Sequence, residues 1–380
     1  MKKNADIVVI GGGAVGCATA YFLAKSGIKN VVLLERKCLT YGSTGRCGAG
    51  IRQQWGTEMN ILLSKAACEL YLQIGEESGF GDIEFRQSGY LLITNREAGA
   101  EMLNKNLQLQ QKLGVKAVRL SREDAKELVP DLNTENMVGA FFCPEDGYIN
   151  PFKATYAYAM GAEKLGVTIY QNTNVVDFIR VENKIKAVVT DKGIINCDIV
   201  VNAAGFDQAV LARMLGMNHQ IVPERRQILI TEPVEPRVNP MVKSFDHGTH
   251  CLQVKHGGFL MGYGLPNEPY GYNFPNSSNF VSDMAKKILT QLPFLKDVRV
   301  VRQWTGYFDT TPDAQPVLGG VPEYDNYVIA CGAGKGFMLA PIVGKITSEY
   351  INGQKSIIDI NILNVERFKT GALVKEPAIS

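Results

Sequence analysis

Of the eight cysteines (17, 38, 47, 68, 143, 197, 251 and 331), none forms a Cys-x-x-Cys pair and none stands in a Cys-x-x-His spacing. That absence excludes the ligand sets of a structural zinc site and of an iron–sulfur cluster. Histidine is sparse too. Three of the four, His247, His250 and His256, fall within ten residues, but without matching carboxylate or cysteine spacing they read as surface or interface residues, and no metal is expected. An excess of one charge is also missing: 40 basic and 38 acidic residues leave a net charge of +2, with no basic run and no acidic tail. Nucleic acid and anionic membrane partners therefore have no electrostatic support. There are no repeats and no low-complexity segments.

The longest uncharged run, Ile7 to Ala24, follows Lys2 and Lys3 and mimics a signal peptide or membrane span. Three successive glycines would weaken a membrane helix, Asp6 sits at its edge, and a second apolar segment ending on Glu35 follows on schedule. The expectation is no targeting segment, no transmembrane segment, and reduced thiols in a cytoplasmic protein. At 380 residues and 46% hydrophobic content, the chain has room for two domains with large cores.

What is abundant is glycine. The 38 glycines cluster at 11–16, 42–50 and 332–336, at ends of apolar segments where backbone must come close to something. The first cluster belongs to a βαβ unit: a buried strand from Ile7 to Ile10, then Gly11-x-Gly13-x-x-Gly16, a helix with Ala14 and Ala18 facing the sheet, and a strand ending on Glu35. Gly11 permits the tight turn, Gly13 admits a pyrophosphate, and Gly16 lets helix and strand pack closely. The helix N-terminus offers free N–H groups and the positive end of its dipole. Glu35 lies 19 residues after Gly16 (35 − 16), where a carboxylate accepts ribose hydroxyls and repels a 2′-phosphate. The motif points to FAD or NAD and away from NADP.

Helices are predicted over Met59–Ser78, Ala98–Gly114, Phe152–Leu165 and Val281–Leu292, with a capping box of Ser121 and Asp124 starting another. Strands are predicted at Phe85–Thr94 and Gly139–Phe142, in a hairpin across 184–197 that runs on to Gly205, at Gln227–Thr231, Cys251–Lys255 and Phe259–Gly262, and at Val298–Tyr307. The final unit, Tyr327 to Gly344, repeats the strand, glycine loop and helix of the opening. The expected fold is α/β: a discontinuous FAD-binding Rossmann-like domain (1–80, 145–220 and 300–380) and a β-rich substrate domain with helices (81–144 and 221–299).

The opening unit, the loop Gly42-Ser-Thr-Gly-Arg-Cys-Gly-Ala-Gly-Ile-Arg-Gln-Gln-Trp55, Asp146-Gly147, Asn174-Val175, Val200–Gly205, Trp304–Asp313 and Gly332–Met338 together resemble the D-amino-acid oxidase/sarcosine oxidase family of flavoproteins. Within it the chain is most similar to the β subunits of heteromeric sarcosine oxidases and dye-linked L-proline dehydrogenases. The resemblance implies FAD lying extended against Gly11, Gly13, Ala14, Val15, Gly16, Glu35 and Arg36, and against Ser43, Thr44, Arg46, Cys47, Gly48, Ala49 and Gly50 of the loop. It implies further contacts from Val175, Ala203, Ala204, Gly205, Gly306, Gly332, Gly334, Lys335, Gly336, Phe337 and Met338. Gly306-Tyr307-Phe308 stands where monomeric relatives attach FAD through cysteine, so FAD is expected to be non-covalent. Phe152 replaces an FMN-tethering histidine, leaving non-covalent FMN at a subunit interface as the remaining option. Leu260 occupies the place of an oxygen-promoting lysine, which favours a dehydrogenase.

The implied chemistry is oxidation of a small secondary amino acid, of L-proline or sarcosine type, to its imine by hydride transfer to flavin N5. Such a reaction asks the protein for orientation, a carboxylate clamp and stabilisation of reduced flavin. Arg52 is the clamp candidate, because its planar fork matches a carboxylate. With Met338 in place of a second cation, Tyr263 or Tyr307 becomes the candidate partner for the carboxylate, and Lys335 the candidate for balancing charge on reduced flavin. Electrons are expected to pass to a second flavoprotein or electron-transfer subunit. Two other readings stay open, a deaminating D-amino-acid or glycine oxidase using oxygen, and an electron-relay subunit.

Overall fold

The computed structural model describes residues 1–264, 268, 270–272 and 275–377. Two sheets of eight strands organise the chain. In the first, Asn4–Ile10 is central and pairs in parallel with Val31–Leu34 on one side and Gly193–Asn202 on the other. Thr168–Tyr170 and Tyr324–Cys331 extend it in parallel, and Val317–Val321 closes one edge antiparallel. Parallel strands need both faces covered, and here Val8 and Ile10 face one core while Ile7 and Val9 face the other. The hairpin Val175–Val181/Lys184–Thr190 pairs with the first half of Gly193–Asn202.

The helix Ala14–Lys25 packs as the small residues require. A Cβ on Gly16 would lie 1.8 Å from the Gly11 carbonyl oxygen, so only glycine lets helix and strand close. The helix Gly336–Ile351 crosses it equally closely, since a Cβ on Gly344 would come 2.6 Å from the Thr19 nitrogen.

The second sheet runs in the order Val300–Thr310, Val222–Thr231, Phe259–Tyr263, His250–Gln253, Met241–Ser244, Tyr90–Thr94, Gly139–Cys143, Val118–Leu120. Side chains alternate between its faces. Leu91, Ile93, Val242, Cys251 and Met261 pack on one face under the helix Phe280–Ile288. Tyr90, Leu92, Met241, Leu252, Leu260 and Ile228 form the opposite face, which roofs the site.

The expected helices are present, with the Ser121/Asp124 capping box complete. Strands Val118–Leu120, Met241–Ser244 and Val317–Val321 were not anticipated, and Phe85–Thr94 shortens to Tyr90–Thr94. Val300–Thr310 pairs along its length with Val222–Thr231, so the segment 300–380, grouped above with the cofactor segments, contributes to both sheets. Among the described residues no helix is long and apolar enough to cross a membrane, and no cluster of His, Cys, Asp or Glu is placed to hold a metal.

Candidate active site

A cavity of about 350 Å³ lies between the carboxyl ends of the first sheet and the roof, within the roughly 300–1,000 Å³ of ordinary small-molecule pockets. One end is a backbone cradle. Gly11 adopts φ +117°, and a Cβ there would sit 2.4 Å from the Ala203 carbonyl oxygen. Gly13 and Gly205 instead face open space: a Cβ on Gly13 would meet only the Thr44 hydroxyl, at 3.1 Å, and one on Gly205 would meet nothing within 4 Å. The Glu35 carboxylate accepts from the Gly12 and Lys37 amides at 2.7 and 2.8 Å, and Arg36 pairs with Asp207 at 2.5 Å. A second helix begins at Gly336, with Lys335 as its cap. Two helix N-termini, open glycines and a ribose-height carboxylate fit an extended dinucleotide.

Nearly all the residues expected at the cofactor line this cavity. Three do not. Gly16 serves helix packing, Gly332 serves its own turn, where a Cβ would lie 2.2 Å from Gly336 Cα, and Val175 lies in the core with Val8, Ile10 and Leu34.

The loop 42–50 crosses from the cradle to the roof. Ser43 Oγ donates to the Tyr307 carbonyl at 2.5 Å, and Trp304 Nε1 donates to the Arg46 carbonyl at 3.2 Å. Arg46 itself donates to the carbonyls of Tyr41 and Gly42, turning back onto its own loop. Burial pushes the Cys47 thiol up to about 11, so it stays neutral. Gly50-Ile51 then pairs with Gly147-Tyr148. The adjoining Asp146 accepts from the Gln53 amide at 2.9 Å and from Gln54 Nε2 at 3.1 Å. Burial pushes its carboxyl up to about 6, against those hydrogen bonds and the charge of Arg52. Arg52 is 5% exposed, and its Nη1 has no hydrogen-bond partner among the described residues.

Lys335 is buried, not solvated: its ammonium donates to Gln315 Oε1 at 2.9 Å and Asn60 Oδ1 at 3.3 Å, and burial lowers it to about 7. Nearby, Glu376 accepts from the Gly56 amide, Thr57 Oγ1 and Asn60 Nδ2 at 2.7, 2.7 and 2.6 Å, tying the C-terminal segment over the start of the helix Glu58–Glu77.

Both candidate tyrosines line the cavity, but their rings pack on neighbouring aromatics. Alternation turns the Tyr263 ring to the far face of the sheet, stacked 5.3 Å from Phe280 at 5°. Tyr307 lines the Arg36–Asp207 end of the cavity, where it packs its ring on Phe206 at 5.1 Å. The roof presents Lys243, Arg226 and His250 instead. His250 is not a surface residue. Its ring abuts Gly48 and Gly262, Nε2 has no partner among the described residues, and burial lowers it to about 3. Lys243 is its cross-strand neighbour. The apolar alternation of Met241-Val242-Lys243-Ser244, interrupted by one lysine on the Met241 face, was the available signal.

A parallel sheet with a glycine cradle at its carboxyl edge, roofed by an arginine-bearing antiparallel sheet, defines a dinucleotide-dependent oxidoreductase. The chain belongs to the FAD dependent oxidoreductase family (DAO), which matches residues 6–350. It is similar to sarcosine oxidase subunit beta of Arthrobacter sp, 30% identical over 383 residues that cover 99% of this chain and 94% of that protein. It is similar also to mitochondrial dimethylglycine dehydrogenase of Mus musculus, 27% identical across 97% of this chain but 44% of that longer protein. In structure it is similar to L-proline dehydrogenase from P. horikoshii, with a TM-score of 0.94 and 36% identity over 98% of this chain and all of that one. The family and its FAD-dependent chemistry agree with the residues that suggested them.

Proposed function

We propose that the chain oxidises a small secondary amino acid, of proline or sarcosine type, to its imine. The observation that carries this is Arg52: a buried fork whose Nη1 has no partner among the described residues, in the same cavity as the dinucleotide cradle. FAD, when bound, supplies the acceptor for the hydride leaving the carbon that bears nitrogen. Gly11, Gly13, Val15, Glu35 and the loop 42–50 would hold it non-covalently, since no cysteine lies at Gly306–Phe308. An FMN gains no support from the comparisons.

The chain's own groups do the rest. Arg52 takes the substrate carboxylate bidentately and fixes the amine-bearing carbon over the cradle. Met241 and Ile228 of the roof keep that space apolar and exclude water. The likeness to an enzyme subunit supports a partner that accepts the electrons, and Leu260, in the place of an oxygen-promoting lysine, supports a dehydrogenase over an oxidase. Anaerobic mixing with L-proline, sarcosine, hydroxyproline and D-amino acids tests the reading. Bleaching of the flavin by a secondary amino acid is expected; failure of all of them sinks it.

A further inference from the structure

We infer that the preferred substrate carries two carboxylates, one held by Arg52 and the other by Lys243; this rests on the amine-oxidising reading above and names its substrate class. The starting point is a charge imbalance on one wall of the cavity. Neither Arg52 nor Lys243 has a salt-bridge partner among the described residues, and the Lys243 ammonium has no hydrogen bond there.

The other cations nearby are already engaged. Arg226 pairs with Glu224 at 2.8 Å and lies over the Phe308 ring at 4.9 Å. Lys335 is held by Gln315 and Asn60. His250, beside Lys243, is neutral. What remains among the described residues is two cations without an ion-pair partner on one cavity, Arg52 buried with Asp146 and Glu376 in its field, and Lys243 half-buried with the charge of Arg52 against it. Unpaired charge removed from water is costly, and proteins keep it where a ligand supplies the counter-charge.

A monocarboxylic amino acid neutralises only one of them. It also brings its own amine into the field of the second. A second carboxylate completes the balance and gives Lys243 a hydrogen-bonded partner. The class is therefore a secondary amine flanked by two acid arms, such as an N-carboxyalkyl amino acid or a ring imino acid with carboxylates on both sides of nitrogen. Lys243 suits the second arm: it stands on the same sheet face as Met241 and lines the same cavity as Arg52.

The test uses the holoenzyme and pairs of amines differing by one carboxylate: iminodiacetate against sarcosine, and cis-pyrrolidine-2,5-dicarboxylate against L-proline. The diacid is expected to reduce the flavin with roughly tenfold or higher kcat/KM. Lys243→Met should cut the diacid-to-monoacid ratio about 10–100-fold, the range for losing a charge-assisted hydrogen bond. A second readout needs no turnover: furan-2,5-dicarboxylate should bind more tightly than 2-furoate, by flavin absorbance shift and thermal stabilisation, and lose that advantage in Lys243→Met and Lys243→Gln. If the monoacids bleach the flavin as well as the diacids, or the ratio ignores both substitutions, the inference falls and amine oxidation stands. If the furan diacid binds through Lys243 but no amine bleaches the flavin, the two-cation site stands and the amine reading falls.

Discussion

The Arg52 guanidinium lies 3.9 Å from the centre of the Trp55 ring, and the Trp55 indole N–H donates back to the Arg52 carbonyl at 2.9 Å. The turn thus holds its own arginine against a flat surface, while Asp146 holds the residues between. A fork fixed in this way loses little freedom when a carboxylate arrives.

Trp55→Leu should therefore raise KM and lower turnover together, by roughly tenfold in kcat/KM, because orientation is lost while the charge remains. Arg52→Ala should cost about 100-fold or more. Both are checked by anaerobic flavin reduction, with flavin content confirming that the cofactor end is intact. Equal effects of the two would mean the indole does more than position the guanidinium.

At the other end of the cavity, Glu35 has two tasks: it accepts from the Gly12 amide, which fixes the glycine turn, and it presents charge at the ribose end. Glu35→Ala should weaken FAD binding by roughly 10–100-fold, the cost of removing a charge-assisted acceptor. Titrating apoprotein with FAD and following quenching of flavin fluorescence measures it.

Stability depends strongly on a pair remote from both ends. Arg367 Nε and Nη2 hold both oxygens of Asp313 at 2.8 and 2.9 Å, with side chains 2% and 0% exposed. Burial alone would raise the Asp313 carboxyl, but the hydrogen bonds and charge of Arg367 outweigh it and hold the group below its usual value. Its stabilisation is present above the unfolded carboxylate pKa, near 3.9, and disappears as pH falls below it. Arg367→Met should cost roughly 3–5 kcal/mol at neutral pH by leaving a buried charge unpaired. The deficit relative to wild type should shrink in acid, as read from urea midpoints.

Much of the cradle was legible because it is local: Gly11, Gly13, Gly16 and Glu35 act through spacing along one βαβ unit. The roof was not, because its chemistry depends on which face a strand turns inward. Tyr263 looked available until its pairing with Gln227 and the helix Phe280–Ile288 turned it away. His250 looked superficial because the groups that bury it, Gly48 and Gly262, come from opposite ends of a long sequence separation. Lys243 sat in a stretch that was not read as a strand. Its neighbours Val242 and Met241 belong to opposite cores, and that alternation alone places the lysine in the cavity.

The titration of Lys243 gives the sharpest pH test. Burial first, then the charges of Arg52 and Arg226, lower its ammonium to about 7. Around it stand Arg52 from the loop, Arg226 paired with Glu224 from Val222–Thr231, neutral His250 from the adjacent strand, and Tyr90, itself pushed up to about 12. Lys243 is charged below about 7 and neutral above. The binding ratio of furan-2,5-dicarboxylate to 2-furoate should therefore fall as pH rises through that value, and fall less in Lys243→Met, where Lys335 alone of the two still loses its charge. The linkage to folding has the opposite sense: the unfolded lysine keeps its proton to about 10.4, so the ligand-free protein gains stability as pH rises from neutrality. Lys335 is lowered to the same region, so Lys243→Met should reduce that slope by about half without abolishing it. Urea unfolding of wild type and variant at several pH values between neutrality and roughly pH 9.5 measures it. An unchanged slope would show that Lys243 remains solvated and charged throughout.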